Sequence, residues 1–263
     1  MKFHCSSLRT GVVLSTFVLG VTATTAVADE ADAKQILRAM SDYMSATQTL
    51  SFEYDATLEV VTTDDQKLGI ASSGSVAVAR PDKIRASRVG GFSEQDMVYD
   101  GTTFSLLGKL SGAYVQTPMS GGIDGMIDTL RDQYGFALPA ADLLMAEPYD
   151  ILMSEVTDIK DLGAGVIGGQ VCDHLAFRTP DVDWQIWIAT GDAPYPCRFV
   201  ITTKTMSPSP QYTIDVRNWN DSADLDANAF AFTAPSGADK LDLADIQSAF
   251  SELPTHFKKE TNQ

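Results

Sequence analysis

Val171-Cys172-Asp173-His174-Leu175-Ala176-Phe177-Arg178, Val182-Asp183-Trp184-Gln185-Ile186-Trp187-Ile188 and Cys197-Arg198-Phe199-Val200-Ile201-Thr202-Thr203-Lys204 are three short runs rich in aromatic and β-branched residues. Thr179-Pro180-Asp181 and Thr190-Gly191-Asp192 separate them. Runs of this kind between turn residues read as consecutive antiparallel strands. In the middle run Val182, Trp184, Ile186 and Ile188 share one face, and Asp183, Gln185 and Trp187 the other. The chain therefore contains a sheet with one strongly apolar face, and the use of that face decides the function.

Upstream, Leu50 to Val61 alternates in the same way, with Phe52, Tyr54, Ala56, Leu58 and Val60 set against Glu53, Asp55, Thr57 and Glu59. Lys67–Arg80, Lys83–Val89, Met97–Tyr99, Thr103–Leu107 and Ala113–Thr117 complete a meander of six strands, with Asp100-Gly101 as a hairpin signal. Before it, Ile36, Leu37, Met40, Tyr43 and Met44 recur at helical spacing between Asp32 and Ala46. After it the pattern changes: Ile123, Met126, Ile127, Leu130 and Tyr134 predict a helix closed by Gly135. Pro139 and Pro148 mark two short helices. This helical insert, about 122–155, is too short to stand alone and must pack on the sheet. Met126, Met145 and Met153 suit an adaptable cover. Strands resume at Val156–Leu162 and, beyond the three quoted runs, at Tyr212–Trp219. Ala229–Phe232 reads as a last strand and Leu241–Phe250 as a terminal helix.

The fold class is mainly β (α+β): a strongly curved antiparallel sheet or open half-barrel, with N- and C-terminal helices and the mid-chain insert covering its concave face. The first residues stand outside it. Lys2 and Arg9 precede an apolar run, Gly11–Val21, too short to span a bilayer, and Ala26-Val27-Ala28 offers cleavage positions. A secretory signal cleaved after Ala28 follows, with a single domain at 29–263, a periplasmic location and no stable membrane span.

The 263 residues carry a formal charge of −16. Without a basic stripe, nucleic acid and anionic membrane surfaces are poor partners. Export leaves Cys172 and Cys197 where disulfides form. On three regular strands they would lie about 10 Å apart, beyond the roughly 7 Å Cα limit of a bridge. Pairing requires Cys197 to sit in the loop entering its strand, which Pro194-Tyr195-Pro196 allows; two buried thiols are the other reading.

Four features resemble the lipoprotein-carrier (LolA-like) proteins of the bacterial envelope. They are the exported helix-then-strand start, Arg80-Pro81-Asp82 closing a strand, Asp100-Gly101-Thr102-Thr103-Phe104 in a hairpin, and Phe230-Ala231-Phe232-Thr233-Ala234-Pro235-Ser236-Gly237-Ala238 near the end. The wording of the Cys172–Lys204 region and of Pro139-Ala140-Ala141-Asp142-Leu143-Leu144 is similar to a predicted periplasmic family of unknown function grouped with that fold. The resemblance implies an eleven-stranded half-barrel whose helices act as a lid. It also implies an arginine, matching Arg80, that bonds to the lid and helps hold it shut. The implied partner is a lipid or lipidated protein.

Chemistry-bearing motifs are few. His174, near Asp173 and Asp183, could form an acid–base cluster for a small-molecule enzyme, or be a polar outward position. Gly163-Ala164-Gly165-Val166-Ile167-Gly168 lacks the helix that a dinucleotide loop needs directly after its glycines. Asp221, Asp224 and Asp226 lack the glycine and terminal glutamate of a calcium loop, and the cysteines and histidines lack zinc spacing. No cofactor or metal is expected. The remaining candidate is the apolar face itself: Phe52, Tyr54, Leu58, Val60, Val76, Val78, Trp184, Ile186, Phe199, Ile201 and Tyr212. It reads as the binding surface of a carrier for a hydrophobic ligand. The alternatives are the His174 enzyme and a non-catalytic envelope module with a filled core.

Overall fold

The computed structural model describes residues 30–226 and 228–250. The signal segment, its cleavage after Ala28 and the tail from His256 lie outside them. Helix α1 (Glu30–Ala46) turns Ala33, Leu37, Met40 and Met44 inward, as the spacing predicts. The meander follows as β1 (Thr49–Val61), β2 (Lys67–Ala79), β3 (Lys83–Gly90), β4 (Glu94–Tyr99), β5 (Thr103–Gly108) and β6 (Ala113–Pro118). Then come the insert and β7 (Asp158–Ile167), β8 (Gln170–Arg178), β9 (Val182–Ala189), β10 (Pro196–Thr203) and β11 (Gln211–Asn220).

With a short last strand, β12 (Asp239–Leu241), all belong to one open sheet ordered β12-β6-β5-β4-β3-β2-β1-β11-β10-β9-β8-β7, which is the expected half-barrel. Neighbours are antiparallel except β12, which runs parallel to β6 and makes the strand count twelve rather than the eleven implied by resemblance. The two halves meet where β1 pairs with β11, Tyr54 opposite Val216 and Leu58 opposite Tyr212.

The concave face is sorted into cross-strand rows. Phe52, Val76, Ala86, Met97 and Leu106 form one row, and Leu50, Val78, Ile84, Tyr99 and Phe104 the next. Over β7 and β9 this face is covered by α1. There Trp184, 4 % exposed, stacks on Phe177 at 3.9 Å and meets Phe199 edge-on at 5.7 Å.

Two expectations are corrected at the C-terminal end. Ala229–Phe232 is not a strand. It belongs to a strap, 228–238, that crosses the convex face, where Arg85 Nη1 donates to the Ala229 carbonyl at 3.2 Å and Phe232 packs on Tyr114 at 5.9 Å. Outward-facing Val98, Ser105 and Leu107 are buried on this half of the sheet. Hydrophobic Phe230 and Phe232 mimic a strand because they pack on a surface rather than pair with an edge. The terminal helix is also shorter than expected: a 3-10 turn (Leu243–Asp245) leads into α4 (Ile246–Ala249).

Cys172 and Cys197 lie on the convex side with Ala189 between them, packed by Ile167, Trp187 and Tyr195. The register slips between Pro196 and Arg198, so Cys197 occupies a bulge at the entry of β10. That bulge brings the two Sγ atoms to 2.8 Å across the intervening strand. Both are free thiols, so the expected bridge is not formed. Burial holds both thiols above the ordinary value, which makes them poor nucleophiles. We propose that a thiol–disulfide oxidant of the periplasm joins them after export, its own disulfide taking the two electrons and two protons that the thiols lose. Protein isolated from the periplasm should then weigh two hydrogens less than the reduced chain and take up no thiol reagent after unfolding. Full labelling without reductant would rule this out.

Candidate functional site

Beneath the insert, beside the part of the sheet covered by α1, lies a cavity of about 370 Å³. That is within the range of small-molecule sites, roughly 300–1,000 Å³. Its floor is the middle of the sheet, β4 through β1 to β11 and β10. Phe52, Tyr54, Leu58, Val76, Phe199 and Tyr212, all expected on the binding face, line it. The other five do not: Val78, Trp184 and Ile186 are core, Ile201 packs against that core, and Val60 is buried near the end of β1. Alternation shows which face a side chain takes, but not which part of that face a helix will cover.

The floor also contains residues the sequence reading passed over, among them Ile84, Ala86, Met97, Ile214, Val216 and Trp219. Trp219 breaks the alternation of Tyr212, Ile214 and Val216. The left-handed Asn218, φ +52°, marks a bulge opposite β1 that swings the next side chain inward. Trp219 then stacks on Phe52 at 5.6 Å and on Tyr195 at 5.0 Å, and its Nε1 donates to the Tyr43 hydroxyl at 3.0 Å. That hydroxyl donates to Asp221 at 2.7 Å. Burial, with the Asp221 hydrogen bond, pushes the Tyr43 pKa up to about 12.

The roof is the insert. It contains α2 (Gly122–Asp128), a π turn (Thr129–Gln133), a 3-10 turn (Ala141–Leu144) and α3 (Pro148–Leu152). Gly135, φ +59°, closes the π turn through its N–H to the Arg131 carbonyl, so the single expected helix changes pitch halfway. The loop Phe136–Ala140 hangs over the cavity with Met126, Ile127, Leu143 and Leu144. Three polar ties hold this cover in shape. Arg131 reaches Asp128 at 2.5 Å and Asp142 at 3.0 Å. The Asp124 carboxylate accepts from the Ala146 N–H at 3.1 Å. Arg80 Nη1 donates to the Leu144 carbonyl at 2.8 Å, tying the sheet to the insert at the residue matched to the carriers' lid arginine. Burial lowers the Arg80 pKa, and its Nε and Nη2 find no partner among the described residues. Burial raises Asp142 despite the opposing Arg131 charge.

The His174 neighbourhood does not converge. His174 faces the convex side, stacked on Trp187 at 3.9 Å with Nε2 3.0 Å from Gln185 Oε1. Asp183 is held lower on the strand by Arg178 at 2.9 Å and Lys204 at 3.1 Å, which keep its carboxyl below the usual range. Asp173 pairs with Ile188, one position out of phase with His174. Among the described residues no group of three His, Cys, Asp or Glu side chains could hold a metal, and no helix is long and apolar enough to cross a membrane.

Residues 33–244 match the family described as Predicted periplasmic protein (DUF2092). No curated protein matches the chain. Among solved structures, lipoprotein LppX of Mycobacterium tuberculosis is 15% identical, covering 75% of this chain and 100% of its own, with a TM-score of 0.39. LprF from Mycobacterium bovis is 14% identical over 79% of this chain and 98% of its own, with a TM-score of 0.43. A LolA superfamily protein from Nitrosomonas europaea is 11% identical over 76% of this chain and 97% of its own, with a TM-score of 0.36.

Proposed function

The chain belongs to the DUF2092 family of predicted periplasmic proteins, and from that premise we propose that it is a binding or carrier protein for one hydrophobic ligand. The ligand is an acyl chain, a lipid or a lipidated segment, and its site is the cavity beneath the 122–155 insert. The observation that supports this is the cavity itself, 370 Å³ of space between an apolar floor and an apolar roof. Native cores leave few voids larger than a water molecule, so a space of this size has the character of a binding site. Each methylene transferred into it contributes about 0.8 kcal/mol.

We take 29–263 as one domain in which the insert is the lid, hinged against the sheet at Arg80. The Arg131 and Asp124 ties make the insert move as one piece, so opening requires loss of the Arg80 to Leu144 bond.

Native mass spectrometry of the protein taken from its own periplasm, followed by lipid extraction, tests the proposal. An acyl-bearing species at near one-to-one occupancy is the expected result. A filling substitution supplies the control. Ala86 is half-buried in the cavity floor, and Ala86→Trp should reduce uptake of a fluorescent fatty acid about tenfold or more, because the ring occupies the ligand's volume. A ligand-free mass together with unchanged dye uptake in Ala86→Trp would remove the cavity from the function.

A further inference from the structure

We propose that the free edge of β7, at the tip of the β7–β8 hairpin, is a docking site for an extended segment of another polypeptide. That segment adds to the sheet as a further strand and presents a basic and an apolar side chain next to each other on one face. The site lies outside the cavity and does not depend on what the cavity holds.

An open sheet ends in two edges. One is the three-residue β12, and the other is the ten-residue β7, which among the described residues pairs with β8 alone. No residue of β7 is fully buried. Proteins blunt such edges with charge, proline or a bulge. β7 has Lys160 and a bulge between Asp161 and Ala164, where Gly163 takes φ +78°. Beyond the bulge these devices stop: residues 164–172 contain neither a charge nor a proline. The same stretch turns apolar groups to water. Val166 and Val171, directly opposed across the two strands, are 65 % and 48 % exposed, and Leu162 in the bulge is 50 % exposed. The other exposed large apolar side chains among the described residues, Val89, Phe92 and Leu110, lie at the β3–β4 and β5–β6 hairpins. Three gathered at one sheet edge form a patch of the kind that marks a contact surface.

Charge identifies the occupant. Register sets Ala164 opposite Asp173, and Asp161 opposite Leu175 just across the bulge. Asp161 accepts from the Gly163 N–H at 2.7 Å, while Asp173 makes no hydrogen bond or ion pair among the described residues. Burial and the Asp161 charge hold the Asp173 carboxyl above its usual range, as befits two carboxylates with no cation between them. A strand added to β7 would lie about 10 Å from β8. Only the methyl group of Ala164 stands in between, so a lysine or arginine placed opposite Ala164 reaches over it to Asp173. Two residues along, the same face of the added strand meets Val166 and covers it with an apolar side chain. Main-chain hydrogen bonds supply affinity in this mode, and alternate side chains supply specificity. A second copy is the poorer occupant, because two chains of charge −16 repel each other.

A fluorescein-labelled peptide, Thr-Lys-Thr-Val-Thr-Lys-Thr-Val, tests the site by anisotropy with the mature protein. Its controls replace both lysines by glutamate, or N-methylate two adjacent central residues. The lysine peptide should bind about tenfold or more tightly than either control, the scale of one hydrogen bond between charged groups. The N-methylated peptide keeps every charge, so it separates strand addition from general attraction to an acidic protein. Asp173→Asn should remove most of the preference for lysine over glutamate, and Val166→Lys should weaken the lysine peptide about tenfold. Thermal midpoints close to that of the unaltered protein report that both variants are folded. Equal binding of the N-methylated peptide, a lysine preference that survives Asp173→Asn, or no binding of any peptide would overturn the proposal. A dimer in sedimentation that Val166→Lys abolishes would overturn it as well, by giving the edge to a second copy.

Discussion

Trp184→Ala is expected to cost about 3–5 kcal/mol of folding stability, the range for deleting a buried large aromatic side chain. Ligand uptake per folded molecule should stay within a few-fold of the unaltered protein. The cost has two sources. The indole is 4 % exposed, so its removal leaves a void that the surrounding strands fill only in part. It also ends a ring contact with Phe177 at 3.9 Å and another with Phe199 at 5.7 Å, each worth about 0.5–1.5 kcal/mol beyond area. Against a typical total of roughly 5–15 kcal/mol, such a loss moves a urea midpoint far enough to measure easily. Uptake is preserved because Trp184 is core and not among the residues lining the cavity. A stable variant that no longer takes up ligand would return Trp184 to the binding surface.

Gly74→Ala should be nearly as damaging, at about 3 kcal/mol, although it adds one methyl group in the middle of a strand. A Cβ at this position would lie 2.0 Å from the Ser87 carbonyl oxygen and 2.6 Å from both Cζ and the hydroxyl of Tyr54. The first obstacle is backbone, so relief requires β2 and β3 to separate. The second is the ring that crosses Gly74 so that the Tyr54 hydroxyl can donate to the Ser87 carbonyl at 3.0 Å. Moving that ring, which lines the cavity, alters the cavity floor as well as the sheet. Thermal unfolding of Gly74→Ala beside the double variant Gly74→Ala/Tyr54→Ala separates the effects. If the ring is the main obstacle, the double variant recovers; if the carbonyl dominates, it does not. A Gly74→Ala protein with an unchanged midpoint would show that the strands give way freely.

The sheet was legible because alternation in β1 and β9 is a local property, and local properties survive in a single sequence. The six-strand meander, the start helix and the helical insert were readable for the same reason. What alternation cannot convey is which part of an apolar face is left uncovered. Trp184 and Phe199 look alike as strand residues, yet α1 covers the region of one and the cavity opens at the other. Trp219 was missed because a bulge at Asn218 changes the phase of the strand, and nothing local announces it. Phe230 and Phe232 misled in the opposite sense, since packing onto a convex surface asks for the same residue types as strand pairing. Cys172 and Cys197 were within reach only through the bulge at β10, an irregularity that regular strand spacing excludes.

The pairing of β1 with β11 sets a condition on how the protein is made. Thr49–Val61 has its permanent neighbour on one side within a few residues, at β2, and waits on the other side for Gln211–Asn220. Contacts this distant in sequence form late and slow the search for the native state. A chain that emerges from a secretion channel N-terminus first would expose the free edge of one of its two longest strands until some 150 further residues had followed. Glu53 and Asp55 then have a second use: on an edge awaiting its partner, like charges repel the same edge of another copy. In the finished sheet Arg217 takes up Asp55 at 2.7 Å. The charges that keep nascent copies apart thus become cross-strand partners when the last long strand arrives.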